Sequence, residues 1–290
     1  MFKDIEKIEN ENLANYTTLH VKGNARWFLL PKNDMELERV IYECKLSGIE
    51  YFVLGAGSNL LVSEDGFAGA VVSMRYFNQI ERINDTKIKV GAGVNLFVLN
   101  AYCFKNGLGG LEWSYGIPAS VGGACKMNAG AFGGEFCKFV KEITVFNGIS
   151  IKKSKKINFS YRKGCLKDNE ILISVVLELE KKDAEKIKKQ QFKFLNERKE
   201  KQPYGVFSLG SVFKRGKDFL PAKLIDEFGF KGLRRGGMVV SNKHAGFIIN
   251  EKNGSARDFL KLVSFIEEYA KERGYRFERE FVTIGLDKKY

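Results

Sequence analysis

Between Gly107 and Gly134 the chain is dense in glycine, and much of the run is small residues. Gly116-Ile117-Pro118-Ala119-Ser120-Val121-Gly122-Gly123-Ala124 is followed by Asn128-Ala129-Gly130-Ala131-Phe132-Gly133-Gly134. Small residues over this length cannot build an ordinary core, and a loop this long would be costly to order for its own sake. They permit extended backbone to approach a large flat or phosphorylated ligand closely. A shorter word points the same way. Gly55-Ala56-Gly57-Ser58-Asn59 follows a predicted strand, Tyr51–Leu54, and is echoed 36 residues later by Gly91-Ala92-Gly93-Val94-Asn95. Two glycines after a strand let backbone amides converge on an anion. The dinucleotide-binding fingerprint needs a third glycine where Leu60 stands, and Leu60-Leu61-Val62 starts no helix. A Rossmann site is therefore disfavoured.

The rest of the composition narrows the class. The 30 glycines stand beside only 4 prolines, so the glycines are not a low-complexity linker. The hydrophobic share of 44% over 290 residues supports a core without disulfide staples. A net charge of +13 favours anionic partners. The 5 cysteines are odd in number and form no CxxC pair, and there are 2 histidines, which argues against a zinc site or a disulfide scaffold. Residues 1–15 mix charged and apolar side chains unlike a signal peptide, and no run has the length of a membrane span. The expectation is a cytosolic protein with reduced thiols.

Periodicity and capping place the elements. A helix is predicted over 33–48, with Asn33 and Glu36 as its cap, Leu37, Val40, Ile41 and Cys44 as its apolar stripe, and Gly48 as its stop. Others are predicted over 96–105, 183–201, 221–228 and 256–273, the last capped by Ser255 and Asp258. Strands are expected at 70–72, 142–147, 171–180, 245–250 and 280–285. In the strand 171–180, the residues Ile171, Ile173, Val175, Leu177 and Leu179 share one face. These elements divide the chain into 1–78, 79–195 and 196–290, with the lysine-rich helix as connector.

Read together, the words resemble the UDP-N-acetylenolpyruvoylglucosamine reductase family. They are Tyr16-Thr17-Thr18, Val53 through Val62, Gly116 through Gly123, Met127 through Ala131, Tyr161-Arg162, Gly210 through Lys214, Lys243 through Phe247, and Arg279 through Val282. Each word is weak alone; their joint order over nearly the whole chain is specific. The resemblance implies an α+β protein. It would have an FAD-binding fold of the vanillyl-alcohol-oxidase/PCMH type, made of two α/β subdomains (1–78 and 79–195), and a C-terminal α/β substrate-binding domain (196–290). The compact regions 58–76 and 197–212 resemble the shorter, type II branch.

The family reaction passes a hydride from NADPH to FAD, then from the flavin to the enolpyruvyl methylene of a UDP-sugar. By resemblance Arg162 would hold the substrate carboxylate and stabilise the developing charge. Glu280 would polarise the same carboxyl, and Ser211 would donate the proton. The three are expected to meet at the reactive edge of the flavin. FAD would be bound noncovalently by Gly55, Ala56, Gly57, Ser58, Asn59 and Leu60 at the pyrophosphate. Ile117, Pro118, Ser120, Gly122, Gly123 and Gly130 would lie along the ring and ribityl chain. Lys214 and His244 would bind substrate, with no metal. The expected partners are the UDP-sugar and NADPH, with neither nucleic acid nor membrane, for a monomer. Two departures matter. Arg215-Gly216 replaces the usual Asn-Pro after Lys214, and Gly164 stands where a serine is common. Arg234 and Arg235 are further candidates for anionic ligands, whereas Lys186, Lys189 and Lys193 read as a solvated helix face. A flavin-dependent oxidase or dehydrogenase of a small alcohol or hydroxy acid and a nucleic-acid-binding protein are the competing classes; the second lacks an RNP, zinc-finger or helix-turn-helix signature.

Overall fold

Local caps set where the helices begin. Helix α1, Asp34–Leu46, starts where the Asn33 side chain accepts the Glu36 amide, and it buries Leu37, Val40, Ile41 and Cys44. The Glu36 carboxylate reaches back to the Lys32 amide at 2.8 Å, one residue beyond the usual capping box. Helix α2, Leu96–Lys105, is capped by Asn95. Helix α3, Val121–Met127, lies inside the stretch expected to be extended. Two glycines disfavour a helix there, but the Ser120 hydroxyl accepts the Gly123 amide, and Val121, Ala124 and Cys125 are buried. Capping and burial override intrinsic propensity at this point. Helix α4, Ala184–Lys201, turns Ile187, Gln191 and Arg198 inward and exposes Lys186, Lys189 and Lys193. Helix α5 is Pro221–Glu227, with proline in its first turn. Helix α6, Ala256–Glu272, has a complete capping box between Ser255 and Asp258 and buries Phe259, Leu262, Val263 and Ile266.

The computed structural model describes residues 1–286. The chain divides into two units, each discontinuous in sequence. The first comprises 1–8, 28–56 and 70–198; the second comprises 9–27, 57–69 and the residues from 199 onward.

In the first unit a five-stranded antiparallel sheet has the order Ile151–Ser154, Val140–Phe146, Ile171–Glu178, Lys87–Gly91, Ile80–Arg82. Its central strand buries Leu172 and Ser174 as well as the expected Ile171, Ile173 and Val175. Both faces are covered, so period two describes only half of its environment. Helix α3 packs on this sheet. Nearby, Tyr51–Leu54 pairs in parallel with Ala70–Ser73.

In the second unit an antiparallel sheet runs Ser208–Ser211, Phe247–Asn250, Met238–Val240, Arg234–Arg235, with α6 packed against its last two strands. Leu60–Val62, the segment that starts no helix, forms a parallel pair with Val282–Ile284. A single core gathers Leu61, Leu209, Val212, Met238, Ile248, Phe259 and Phe281 from these elements. Each fully buried side chain of this size contributes roughly 1.5–3 kcal/mol.

Candidate active site

In the first unit the two glycine words come together. A Cβ built on Gly55 would fall 2.3 Å from the Ser120 Oγ, so only glycine lets the turn after the strand lie against the start of α3. The echoed word supports this arrangement from behind. Val121 donates to the Val94 carbonyl and Gly122 to the Ala92 carbonyl, both at 2.8 Å, and Leu96 donates to Ala119 at 2.8 Å. The second Gly-Ala-Gly word thus acts as a backbone buttress for residues 119–122. Gly55, Ile117, Pro118, Gly122, Gly123 and Gly130 stay at least partly exposed beside buried Leu54, Ala119, Ser120, Val121 and Ala124.

Arg162 sits at the apex of a tight turn. The Ser160 and Lys163 backbones exchange hydrogen bonds of 2.8 and 3.0 Å, and Arg162 adopts φ 55°, uncommon for a side-chain-bearing residue. Its Nη1 donates to the Gly130 carbonyl at 3.4 Å, and its guanidinium lies 5.2 Å from the Tyr161 ring centroid. Asn128 positions this turn. It ends α3 in the left-handed conformation, and its Nδ2 donates to the Ser160 carbonyl at 3.0 Å and to Glu135 at 3.1 Å. Its Oδ1 accepts the Cys137 amide at 3.1 Å. Sequence reasoning did not single out this residue; an asparagine directly after a short helix is the signal that could have found it.

The departure at Gly164 has a steric cause. A Cβ there would lie 1.6 Å from the Cys125 carbonyl oxygen. Gly164→Ala is therefore expected to destabilise the chain by about 1–3 kcal/mol, read as a drop of several degrees in the midpoint of a thermal melt. An unchanged midpoint would mean that the turn bearing Arg162 is not held against α3.

The second unit assembles the other half of the expected set. Gly57 has φ 63°, and its Cβ would fall 1.9 Å from the Tyr16 carbonyl; its own carbonyl accepts the Thr18 amide at 3.2 Å. The Tyr16-Thr17-Thr18 word thus braces the phosphate-type turn. Thr18 also ties it to the serine strand, donating from Oγ1 to the Ser208 carbonyl at 2.6 Å. Ser211 follows Gly210, whose φ is 79°, at the end of its strand. The next residue, Val212, accepts the Glu280 amide at 2.9 Å, and the Lys214 amide donates to the Glu278 carbonyl at 2.8 Å. These bonds lay the Ser211 segment antiparallel to the Glu280 segment. Asn59 closes the group: Nδ2 donates to the Glu280 carbonyl at 3.0 Å, and its own carbonyl accepts the Val282 amide at 2.9 Å. Ser211, Glu280 and Asn59 are thereby neighbours within the second unit, while Arg162 belongs to the first.

Lys214 Nζ contacts Glu278 Oε1 at 2.6 Å, a carboxylate whose side chain is 73% exposed and easily exchanged for another anion. His244 Nδ1 accepts the Gly246 amide at 3.1 Å, and burial pushes the ring below the usual imidazole range. The neutral ring therefore carries its proton on Nε2, as a donor. Arg234 pairs with Glu251, and Arg235 lies over the Phe265 ring. Both arginines thus have local structural contacts.

The residues present fit a dinucleotide flavin. Among the described residues, the amides of Ala56, Gly57 and Ser58 donate to no protein acceptor. They follow the strand as an anion-binding concavity requires. At Gly123 a Cβ would meet only the Ser120 Oγ, at 3.5 Å, so this turn of α3 leaves its outer side open. This defines a flavin-binding class, and the comparisons agree: a model described as an FAD binding domain matches residues 25–148. Another, described as the C-terminal domain of UDP-N-acetylenolpyruvoylglucosamine reductase, matches 202–284. The reductase of that name from Clostridium novyi is 40% identical over 275 residues, 93% of this chain and 89% of its own length. The one from Thermotoga petrophila is 40% identical over 93% of this chain and 96% of its own. The crystal structure of the Thermus caldophilus enzyme superposes with a TM-score of 0.81 at 33% identity, covering 97% of this chain and 98% of that one. The chain belongs to the UDP-N-acetylenolpyruvoylglucosamine reductase family, an FAD-dependent oxidoreductase with the α+β fold expected.

Proposed function

We propose that this protein reduces UDP-N-acetylglucosamine enolpyruvate to UDP-N-acetylmuramate with NADPH, a step in peptidoglycan precursor synthesis. The observation that carries the reading is the backbone-fixed neighbourhood of Ser211, Glu280 and Asn59 in a chain related to these reductases over 93% of its length. Bound FAD supplies the hydride chemistry between NADPH and the substrate methylene. Residues 55–60, with Ile117, Pro118, Ser120, Gly122, Gly123 and Gly130, hold that cofactor. Residues 1–78 and 79–195 serve as its two subdomains, and 196–290 as the substrate domain.

Arg162 pairs with the enolpyruvyl carboxylate and stabilises the negative charge that builds on the adjacent carbon. Glu280 polarises the same carboxyl group. Ser211 donates its hydroxyl proton to that carbon; a poor acid suffices when it is held against a strongly basic centre. Lys214 exchanges Glu278 for a substrate phosphate, and His244 donates from Nε2. The net charge of +13 suits ligands that all carry phosphates. Among the described residues no helix is long and apolar enough to cross a membrane. A monomer working in the cytoplasm is the form we propose.

The purified protein is expected to be yellow, or to become so with FAD, and, in the absence of oxygen, to oxidise NADPH beyond one equivalent per flavin only when the enolpyruvyl UDP-sugar is present. The product should be heavier than the substrate by two hydrogens. Protein that cannot be reconstituted with FAD, or NADPH loss indifferent to the UDP-sugar, would overturn the assignment.

A further inference from the structure

Three of the five cysteines meet in the first unit. Cys125 lies on α3, Cys137 in the 3-10 turn Phe136–Phe139, and Cys165 in the loop that follows Arg162. The Cys165 amide donates to the Cys125 carbonyl at 3.3 Å, and the Cys137 thiol donates to the same oxygen at 3.6 Å. The Cys125 carbonyl thus joins all three cysteines, one through a backbone amide and one through a thiol. Cys44 and Cys103 lie elsewhere, on α1 and α2.

The three thiols are not equivalent. Cys125 and Cys137 are 0% and 1% exposed, whereas Cys165 is 9% exposed under a loop whose Lys163, Lys167 and Asp168 face solvent. Hydrogen bonds from Cys125, and then from Cys137, favour the Cys165 thiolate and hold its pKa below that of an ordinary thiol. Burial foremost pushes Cys125 up, and its pairing with Cys165 foremost, then burial, pushes Cys137 up. The arrangement is one slightly exposed thiol beside two fully buried ones, a layout in which a sulfenic acid formed on the first can be resolved within the same molecule.

We propose that this cluster is a peroxide-sensitive modification site, in which Cys165 closes an intramolecular disulfide with Cys125 or Cys137. The Cys165 thiolate attacks hydrogen peroxide and the O–O bond breaks. One oxygen stays on sulfur as a sulfenic acid, and the other leaves as water after taking up a proton. The neighbouring thiol then attacks the Cys165 sulfur, gives up its proton and expels the oxygen as a second water. Two thiols and one peroxide give one disulfide and two waters. A disulfide holds its sulfurs about 2 Å apart, closer than two free thiols can stand. Gly164 already abuts the Cys125 carbonyl, so closure draws in the segment three residues beyond Arg162 and displaces that side chain. This consequence rests on the role proposed for Arg162; the disulfide itself does not.

The test treats the reduced, FAD-loaded protein with hydrogen peroxide, removes the excess with catalase, and alkylates the remaining thiols under denaturing conditions. Three of the five thiols should remain, with a cross-link mapped by mass spectrometry between the Cys165 peptide and that of Cys125 or Cys137. Turnover should fall about tenfold or more and return with dithiothreitol, and Cys165→Ser should keep its turnover through the treatment. Five free thiols, or Cys165 carried to sulfinic acid without a cross-link, would overturn the proposal whether or not Arg162 binds substrate. A mapped disulfide with unchanged turnover would overturn its coupling to activity.

Discussion

Ser211→Ala leaves reduction of the bound flavin by NADPH at the rate of the unaltered protein and slows its reoxidation by the UDP-sugar by roughly 10²–10⁴-fold. Stopped-flow absorbance of the flavin separates the two halves. The expectation follows from where the hydroxyl stands. Gly210 sets the strand end, and the Val212 carbonyl is held by the Glu280 amide at 2.9 Å, so the serine is placed by backbone bonds that its own side chain does not make. Removing one oxygen should therefore leave fold and cofactor in place while deleting the proton source. Equal slowing of both halves would contradict the assignment, because NADPH oxidation needs no proton delivered to substrate carbon.

Arg162→Ala should retain FAD and lose roughly 10²–10³-fold in turnover with the UDP-sugar. The guanidinium donates to the Gly130 carbonyl at 3.4 Å and lies against its neighbour Tyr161. The turn that carries it is held by Asn128 and by the Ser160–Lys163 pair, none of which the substitution removes. The loss should therefore appear in transition-state stabilisation, as a fall in kcat/KM with the flavin spectrum unchanged. Loss of FAD as the main effect would make Arg162 a cofactor or folding residue. Arg162→Lys should recover little, since a point charge cannot reproduce bidentate binding of a carboxylate.

Much of this was readable before any coordinates. Helix α6 begins at the cap that Ser255 and Asp258 announce, and the stripe Phe259, Leu262, Val263 and Ile266 is buried as its spacing requires. Helix α2 runs over the residues expected, and Leu60–Val62 is a strand and not a helix start. Helix α3 was not legible, because two glycines argue against it and only the Ser120 cap and the buried Val121 and Cys125 decide for it. The repeated Gly-Ala-Gly word was visible only as an echo, with no role attached. Packing shows it bonded to residues 119–122.

What the sequence by itself determined is whatever a few adjacent residues settle among themselves: caps, stops, periodic faces, and glycine turns where amides can converge. These depend on short-range sterics and hydrogen bonds, which neighbours in the chain carry with them. The tertiary structure alone decided that Asn59 reaches Glu280, that Gly164 must lie on Cys125, and that three scattered cysteines gather at the Cys125 carbonyl. Such contacts join segments far apart in the chain. Their free energy comes from burial and pairing that exist only once distant strands have closed, so no local pattern records them.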